Sequence, residues 1–465
     1  MARSKTHYIC SECGHITPKW MGRCPECGEW DSFEEKSVSS SLKSGEEHRI
    51  FSEKKDGVVT HVNNVDISCA KRISSTYNEI DRITGGGIVR GSYNLISGHP
   101  GVGKSTLMLQ VALALAESEK VLYLSAEESI SQVKIRFSRL TGKKKAPAGL
   151  YLSNINNIDK FRDHVIKEKF SVVFIDSIQT VYSPSIRGIP GSVSQIKECS
   201  VKILEFCKSE NITVFVIGHV TKQGSIAGPM LLEHMVDAVL LFEGDPTLGY
   251  RVLRTSKNRF GATNEIGIFS MSSKGLLEVE DPSTFFTSPE DRNMSGAAKA
   301  LILEGSRPLV VEIQALCTTS NYSQPRRVVT GLDSTRFSMI TAVLEKRGDI
   351  ICSNYDMFLN VVGGLQIKTP AVDLPIAAAL LSAVFDITIP SDIAFVGETG
   401  LAGEIRDVPG MDIMIREGAR HGLKKICMPE ITGGSEDLPG DVEIVVMKSI
   451  YDLIEEIRSL AVFER

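Results

Sequence analysis

The chain lacks any hydrophobic run long enough to cross a bilayer. Its most apolar stretch, 374–384, follows Asp373 and falls well short of the roughly 20 residues that a spanning helix needs. The first ten residues, MARSKTHYIC, hold none of the apolar core of a secretory signal, so a cytoplasmic protein is expected. Excess positive charge is also missing: the net charge is −5 and the pI about 6.1. That balance argues against a protein that coats nucleic acid by bulk charge, and leaves contact to local patches or an assembled ring. Aromatic residues are few, at 6%, and Trp20 and Trp30 are the only tryptophans. What remains is an ordinary globular composition in 465 residues, enough for two or three domains.

The ten cysteines are unevenly spread. Four lie in the first 27 residues and six are scattered, at 69, 199, 207, 317, 352 and 427. In a reducing compartment the scattered ones read as buried thiols. The cluster, "CSECGHITPKWMGRCPEC" (10–27), pairs Cys10 with Cys13 and Cys24 with Cys27. Each pair offers two thiolates from one tight turn, and two such turns close a tetrahedron around Zn2+. The alternatives are two disulfides or four free thiols. The segment is too short for its own apolar core, so a metal would supply much of its folding energy. Trp20 and Trp30 are expected to cover that small core, the other possibility being stacking on bases. Residues 34–57 are rich in Ser, Glu and Lys and read as a flexible linker.

"YNLISGHPGVGKSTLMLQVALALA" (93–116) is an apolar strand, a glycine-rich loop and a helical pattern. The loop is G-x-x-x-x-G-K-S, the phosphate-binding signature. Gly98, Gly101 and Gly103 would let backbone N–H groups face the phosphates, with His99, Pro100 and Val102 completing the binding loop. Lys104 would reach the β and γ oxygens, Ser105 would ligate Mg2+, and Thr106 follows in the first turn. A binding loop that no longer hydrolyses is the alternative. The run 172–175 ends in Asp176, an acid at the C-terminal edge of a buried strand, placed to support the metal. Strand 121–125 ends near Glu127 and Glu128, of which Glu127 is chosen to activate the attacking water. Either could instead be a first-turn acid of the next helix. Two Gly-rich polar segments follow further strands, 182–195 and 220–230, and are candidates for a nucleic-acid channel. "KNRFG" (257–261) ends a strand-like run with two cations, Lys257 and Arg259, about 150 residues past the phosphate loop; an exposed turn is the simple reading.

Taken in order, the paired cysteines, the phosphate loop, "SAEES", "FIDSIQT", "PGSVSQ", "GHVTKQG", "GPMLLEHMVDAVLLFEGD" and "KNRFG" resemble the bacterial RadA/Sms DNA repair family, a branch of the RecA-like ATPases, over essentially the whole chain. Met230 and Gln223 depart from the family's more usual Arg and Glu. The resemblance implies a ring, a homo-hexamer, with ATP at subunit interfaces. Lys257 and Arg259 would then reach the γ-phosphate held by the neighbouring subunit.

The last third resembles the proteolytic domain of Lon. There the working serine's place falls on Ile376 and the lysine's on Asp412. Neither can do that chemistry, and Ser382, two helical turns on, is not expected to substitute. Arg326, Arg327, Lys346 and Arg347 are equally read as a solvated surface or as DNA contacts. The expected architecture is therefore α/β: a four-Cys zinc finger (1–33), a linker (34–60), a RecA-like ATPase with a mostly parallel sheet (61–285) and a non-proteolytic α+β Lon-like domain (286–465). The implied function is a DNA-stimulated ATPase of recombinational repair, loading on single-stranded or branched DNA and driving branch migration. ATP, Mg2+ and Zn2+ are its cofactors and a recombinase a possible partner. A nucleotide-switched scaffold is the main rival; an active protease and an ATPase acting on RNA or protein are the others.

Overall fold

The computed structural model describes residues 5–10, 16–25, 30–38, 61, 63, 71–142, 145–219, 230–244, 249–263, 265–288, 294–322, 324–431 and 439–461. The chain forms two compact units, Met1–Glu278 and Val279–Arg465. The short helix Ser283–Phe286 is part of the second unit. Phe286 is buried there, and the Ser283 hydroxyl accepts a hydrogen bond from Val310 N at 3.1 Å.

The first unit opens with a small antiparallel sheet, in which Lys5–Cys10 lies between Ile16–Thr17 and Phe33–Val38. Its main body is a nine-stranded sheet. Six strands run parallel, in the order Ala238–Glu243, Tyr93–Gly98, Thr213–His219, Val172–Asp176, Val121–Ser125, Leu150–Ser153. Tyr250–Asn258, Ile266–Ser272 and Gly275–Glu278 extend it antiparallel. The central strands are near-continuous apolar runs because both faces are covered. Ile96, Tyr123, Phe174 and Phe215 pack on one side with helices Lys104–Leu115 and Ile130–Thr141. Leu95, Leu122, Val173 and Val214 pack on the other with helices Ile158–Lys167 and Val193–Ser209. Adjacent strand residues thus serve opposite layers, as the period-2 pleat requires.

The second unit is a mixed seven-stranded sheet, in the order Arg327–Thr330, Tyr355–Val361, Arg307–Thr319, Ala297–Glu304, Ile393–Phe395, Lys425–Met428, Glu443–Val446. Helices Ser334–Arg347, Asp373–Phe385, Met411–Arg420 and Ile450–Leu460 belong to it. No described helix is long and apolar enough to cross a membrane.

Candidate nucleotide site and its opposite edge

Parallel strands bring their C-terminal ends to one edge, and there the phosphate loop sits. His219 pairs with Gly98 and Ser125 with Asp176 across the sheet. Gly101 and Gly103 have φ of 81° and 115°, values only glycine adopts freely, so the loop curls with its backbone outward. A Cβ at Gly98 would run into the Phe242 carbonyl of the next strand. His99, Pro100 and Gly101 are exposed, whereas Val102 is buried. Thr106 is half-buried in the helix's first turn.

Lys104 folds back into the loop, donating to the carbonyls of Gly98 at 2.7 Å and His99 at 2.9 Å. It is only 4% exposed. Burial lowers its pKa to about 8, against the pull of Asp176 and Glu127 nearby. Burial raises the Asp176 carboxyl, partly offset by hydrogen bonds from Tyr123 and Ser105. Tyr123 O–H donates to Asp176 Oδ2 at 2.8 Å. Ser177 O–H donates to Glu127 Oε1. Glu128 instead pairs with Arg136 at 2.6 Å, and Ser129 forms the capping box of helix Ile130–Thr141. Lys104, Ser105, Glu127 and Asp176 therefore share one edge. Tyr123 and Ser177 hold the two carboxylates; Tyr123 carries no motif of its own, and Ser177 stands in "FIDSIQT" with no role assigned to it from the sequence.

Lys257 and Arg259 are not brought to that edge. Strand Tyr250–Asn258 runs antiparallel to Ala238–Glu243, with Asn258 beside Ala238, which pairs with Asn94 at the start of the loop strand. Gly98 lies four residues further along, about 13 Å at the rise of a β-strand. KNRFG is thus at the opposite end of the sheet from its own phosphate loop. Its turn is fixed: Phe260 N donates to Asn258 Oδ1 at 2.9 Å, and Arg72 donates to the Phe260 carbonyl at 2.7 Å. Lys257 caps helix Met230–Met235, donating to the Glu233 and His234 carbonyls. Burial and the neighbouring Arg259 lower its pKa. Arg259 is 55% exposed and meets Asp237 at 3.3 Å.

Of the two candidate channel segments, 220–229 lies outside the described residues, as does Gln223; Met230 opens helix Met230–Met235. The other ends at Ser192, where helix Val193–Ser209 begins. The buried Gln195 side chain holds it, donating to the Ser183 and Ile186 carbonyls at 3.1 and 3.2 Å and accepting from Ser183 N at 2.8 Å. Ile189 at its tip is 77% exposed.

Cys10 and Cys24, one from each cysteine pair, are buried in one cluster with Phe33. Cys13 and Cys27 lie outside the described residues. A described cysteine from each pair in one buried cluster is what a shared metal requires, and thiolate donors suit Zn2+. The tryptophans do not cover this core. Trp20 is 55% exposed and Trp30 70%, with Arg23 over the Trp30 ring at 5.8 Å. The reason is local: the buried centre is already filled by Cys10, Cys24, Phe33 and Tyr8.

In the second unit Ile376 is fully buried and Asp412 exposed in the first turn of its helix. Ser382 is buried too, donating to the Ile387 carbonyl at 2.6 Å and accepting from Gly296 N at 2.7 Å. Arg327 donates to the Cys352 and Tyr355 carbonyls, and Arg326 lies over Tyr322 at 4.6 Å.

Sheet, loop and edge define a P-loop ATPase with a mostly parallel, RecA-like core. Family models match three segments: an AAA domain over 67–225, a rubredoxin metal binding domain over 8–35 and subunit ChlI of Mg-chelatase over 336–432. Full-length relatives are described as DNA repair protein RadA. The Bacillus subtilis protein is 39% identical over 98% of this chain and 99% of its own. The Listeria monocytogenes protein is 41% identical at the same coverage, and that of Streptococcus pyogenes 41% identical over 99% of this chain and 100% of its own. The chain belongs to the RadA family of DNA repair proteins. Over 45% of its length it is also similar in structure to a KaiC-like protein of Pyrococcus horikoshii OT3, at 18% identity and a TM-score of 0.38.

Proposed function

We propose that the protein is a DNA-stimulated ATPase that works as a ring, a homo-hexamer, on single-stranded and branched DNA and promotes branch migration during recombinational repair. The observation that carries this reading is the register of strand Tyr250–Asn258, which holds KNRFG at the edge opposite the phosphate loop. Two fixed cations there cannot serve their own site. They suit the loop of an adjacent subunit, as in ATPases whose site is completed from a second wall.

In that assembly the backbone from Gly98 to Gly103 binds the phosphates. Lys104 exchanges the Gly98 and His99 carbonyls for phosphate oxygens. Glu127, held by Ser177, takes the proton of the attacking water, and Asp176, held by Tyr123, turns its free oxygen to Ser105. Ser105 and Asp176 would hold Mg2+, which supplies charge neutralisation at the transferring phosphate. Arg259 and Lys257 of the next subunit meet the charge that develops on the γ-phosphate. Segments 182–192 and 220–230 face DNA. The four cysteines hold Zn2+, which stabilises a small domain that recruits a recombinase or guides a strand. The C-terminal domain serves assembly and DNA contact, not proteolysis, since Ile376 has no nucleophilic atom and Ser382 is committed to a structural hydrogen-bond pair.

The test is steady-state ATP hydrolysis with and without single-stranded DNA, comparing native protein, Lys104→Ala and Arg259→Ala. DNA should stimulate the native protein. Both variants should be inactive alone, and an equal mixture should recover activity, because some interfaces then join an intact loop to an intact Arg259. Normal hydrolysis by Arg259→Ala, with no response to DNA, would favour a nucleotide-switched scaffold.

A further inference from the structure

We infer that Asp237 is a positioning residue that sets Arg259 for the adjacent subunit's nucleotide and ties it to the subunit's own phosphate-loop strand. The inference rests on the proposed role of Arg259 in trans and adds the part that holds it.

Asp237 is 3% exposed, and a carboxylate so deeply buried needs partners for its oxygens. Three elements supply them. Oδ1 pairs with Arg259 at 3.3 Å. Oδ2 accepts from Lys208 Nζ at 2.5 Å, near the end of helix Val193–Ser209, and from Tyr93 N at 3.0 Å, the first residue of the loop strand. The backbone repeats both links: Arg259 N donates to the Asp237 carbonyl at 3.0 Å, and Asp237 N to the Tyr93 carbonyl at 2.8 Å.

Two consequences follow from the chemistry. Arg259 is otherwise a long side chain, 55% exposed, with many rotamers; one buried anion restricts it without spending its other donors. A guanidinium presents five N–H groups, so Asp237 can hold one while the rest face outward to a phosphate. Tyr93 begins the strand that ends in Gly98. Asp237 therefore joins the donor edge and the acceptor edge of one subunit through a single short strand. Lys208 lies in the last turn of helix Val193–Ser209, so the carboxylate also holds the end of that helix.

The experiment uses the full-length chain and Asp237→Asn, which keeps an acceptor for Tyr93 N but removes the charge that holds Arg259. The turnover number should fall about ten- to a hundredfold, the scale of a misplaced catalytic group, with the KM for ATP within about twofold, since the variant's own loop is intact. Mixed with Lys104→Ala, it should recover activity as Arg259→Ala does. Failure to fold is separated by thermal unfolding and by binding of a fluorescent ATP analogue. Asp237→Glu, which keeps the charge on a longer arm, should restore part of the turnover. Native turnover in Asp237→Asn while Arg259→Ala stays inactive would overturn the positioning role and leave the trans site standing. Native turnover in both variants would overturn the trans reading itself. Loss of analogue binding with no recovery on mixing would make Asp237 a structural residue only.

Discussion

Helix Lys104–Leu115 and helix Asp373–Phe385 each begin with a buried ionisable residue, and the comparison shows what distinguishes a helix start open to a ligand from a closed one. Lys104 and Asp373 are 4% and 2% exposed, and burial displaces the pKa of both, downward for the lysine and upward for the acid. A displaced pKa therefore does not by itself mark function. The difference lies in the surroundings. Lys104 rests on two carbonyls of an exposed glycine loop, partners that a phosphate can replace. Asp373 is held by two bonds from Arg336, at 2.7 and 2.8 Å, and by Thr399 N at 3.2 Å; residues 374–382 after it are all buried. One helix start is open to a ligand and the other is packed shut.

The comparison breaks most visibly at Lys104. Lys104→Ala should lower ATP hydrolysis about a hundred- to a thousandfold, the scale of losing one group that faces developing charge, without lowering the unfolding temperature, because a buried charge is removed. A large loss of stability would mean that the lysine is structural, like Asp373.

Ser382→Ala tests the closed side. It removes two hydrogen bonds and leaves Gly296 N and the Ile387 carbonyl unpaired, so denaturant unfolding should show a loss of about 1–3 kcal/mol. ATP hydrolysis at a temperature where the variant is folded should be unchanged, and neither form should cleave casein. Cleavage by the native chain that vanishes in the variant would reinstate a protease.

The smallest effect is one of pH. Lys104 has a pKa of about 8 in the free chain, and ATP phosphates beside it raise that value. Binding therefore takes up a proton once the pH exceeds about 8. Affinity for a non-hydrolysable ATP analogue should fall above that point, by at most about tenfold per pH unit. Calorimetry in two buffers at about pH 9 would read the uptake directly, and Lys104→Ala should abolish it.

Much of this was legible in the sequence because the phosphate loop is local. Its glycines, lysine and serine are adjacent in the chain, and the flanking apolar runs declare strand and helix. The acids at 127 and 176 were legible as strand ends. The position of KNRFG was not, because it depends on which way strand Tyr250–Asn258 runs beside its neighbour. Asp237 has no role legible from the chain, because its partners come from residues 93, 208 and 259. Gln195 and Ser382 look like ordinary helix residues until their long-range hydrogen bonds are known. Trp20 and Trp30 misled because tryptophan is usually covered, and here cysteine and phenylalanine fill the centre.

Arg72 gives the ATPase unit a definite beginning. Its guanidinium clasps the carbonyls of Thr84, Gly87 and Phe260, at 2.9, 2.9 and 2.7 Å. A chain shortened from the front to start at Lys71 retains that clasp, and one that starts at Ile73 releases the turn beside Arg259. Trimming the gene to remove residues up to 60 takes away the cysteine domain with its strand Phe33–Val38 and keeps the clasp, whereas trimming a dozen residues further removes Arg72 and loosens the turn that carries Arg259.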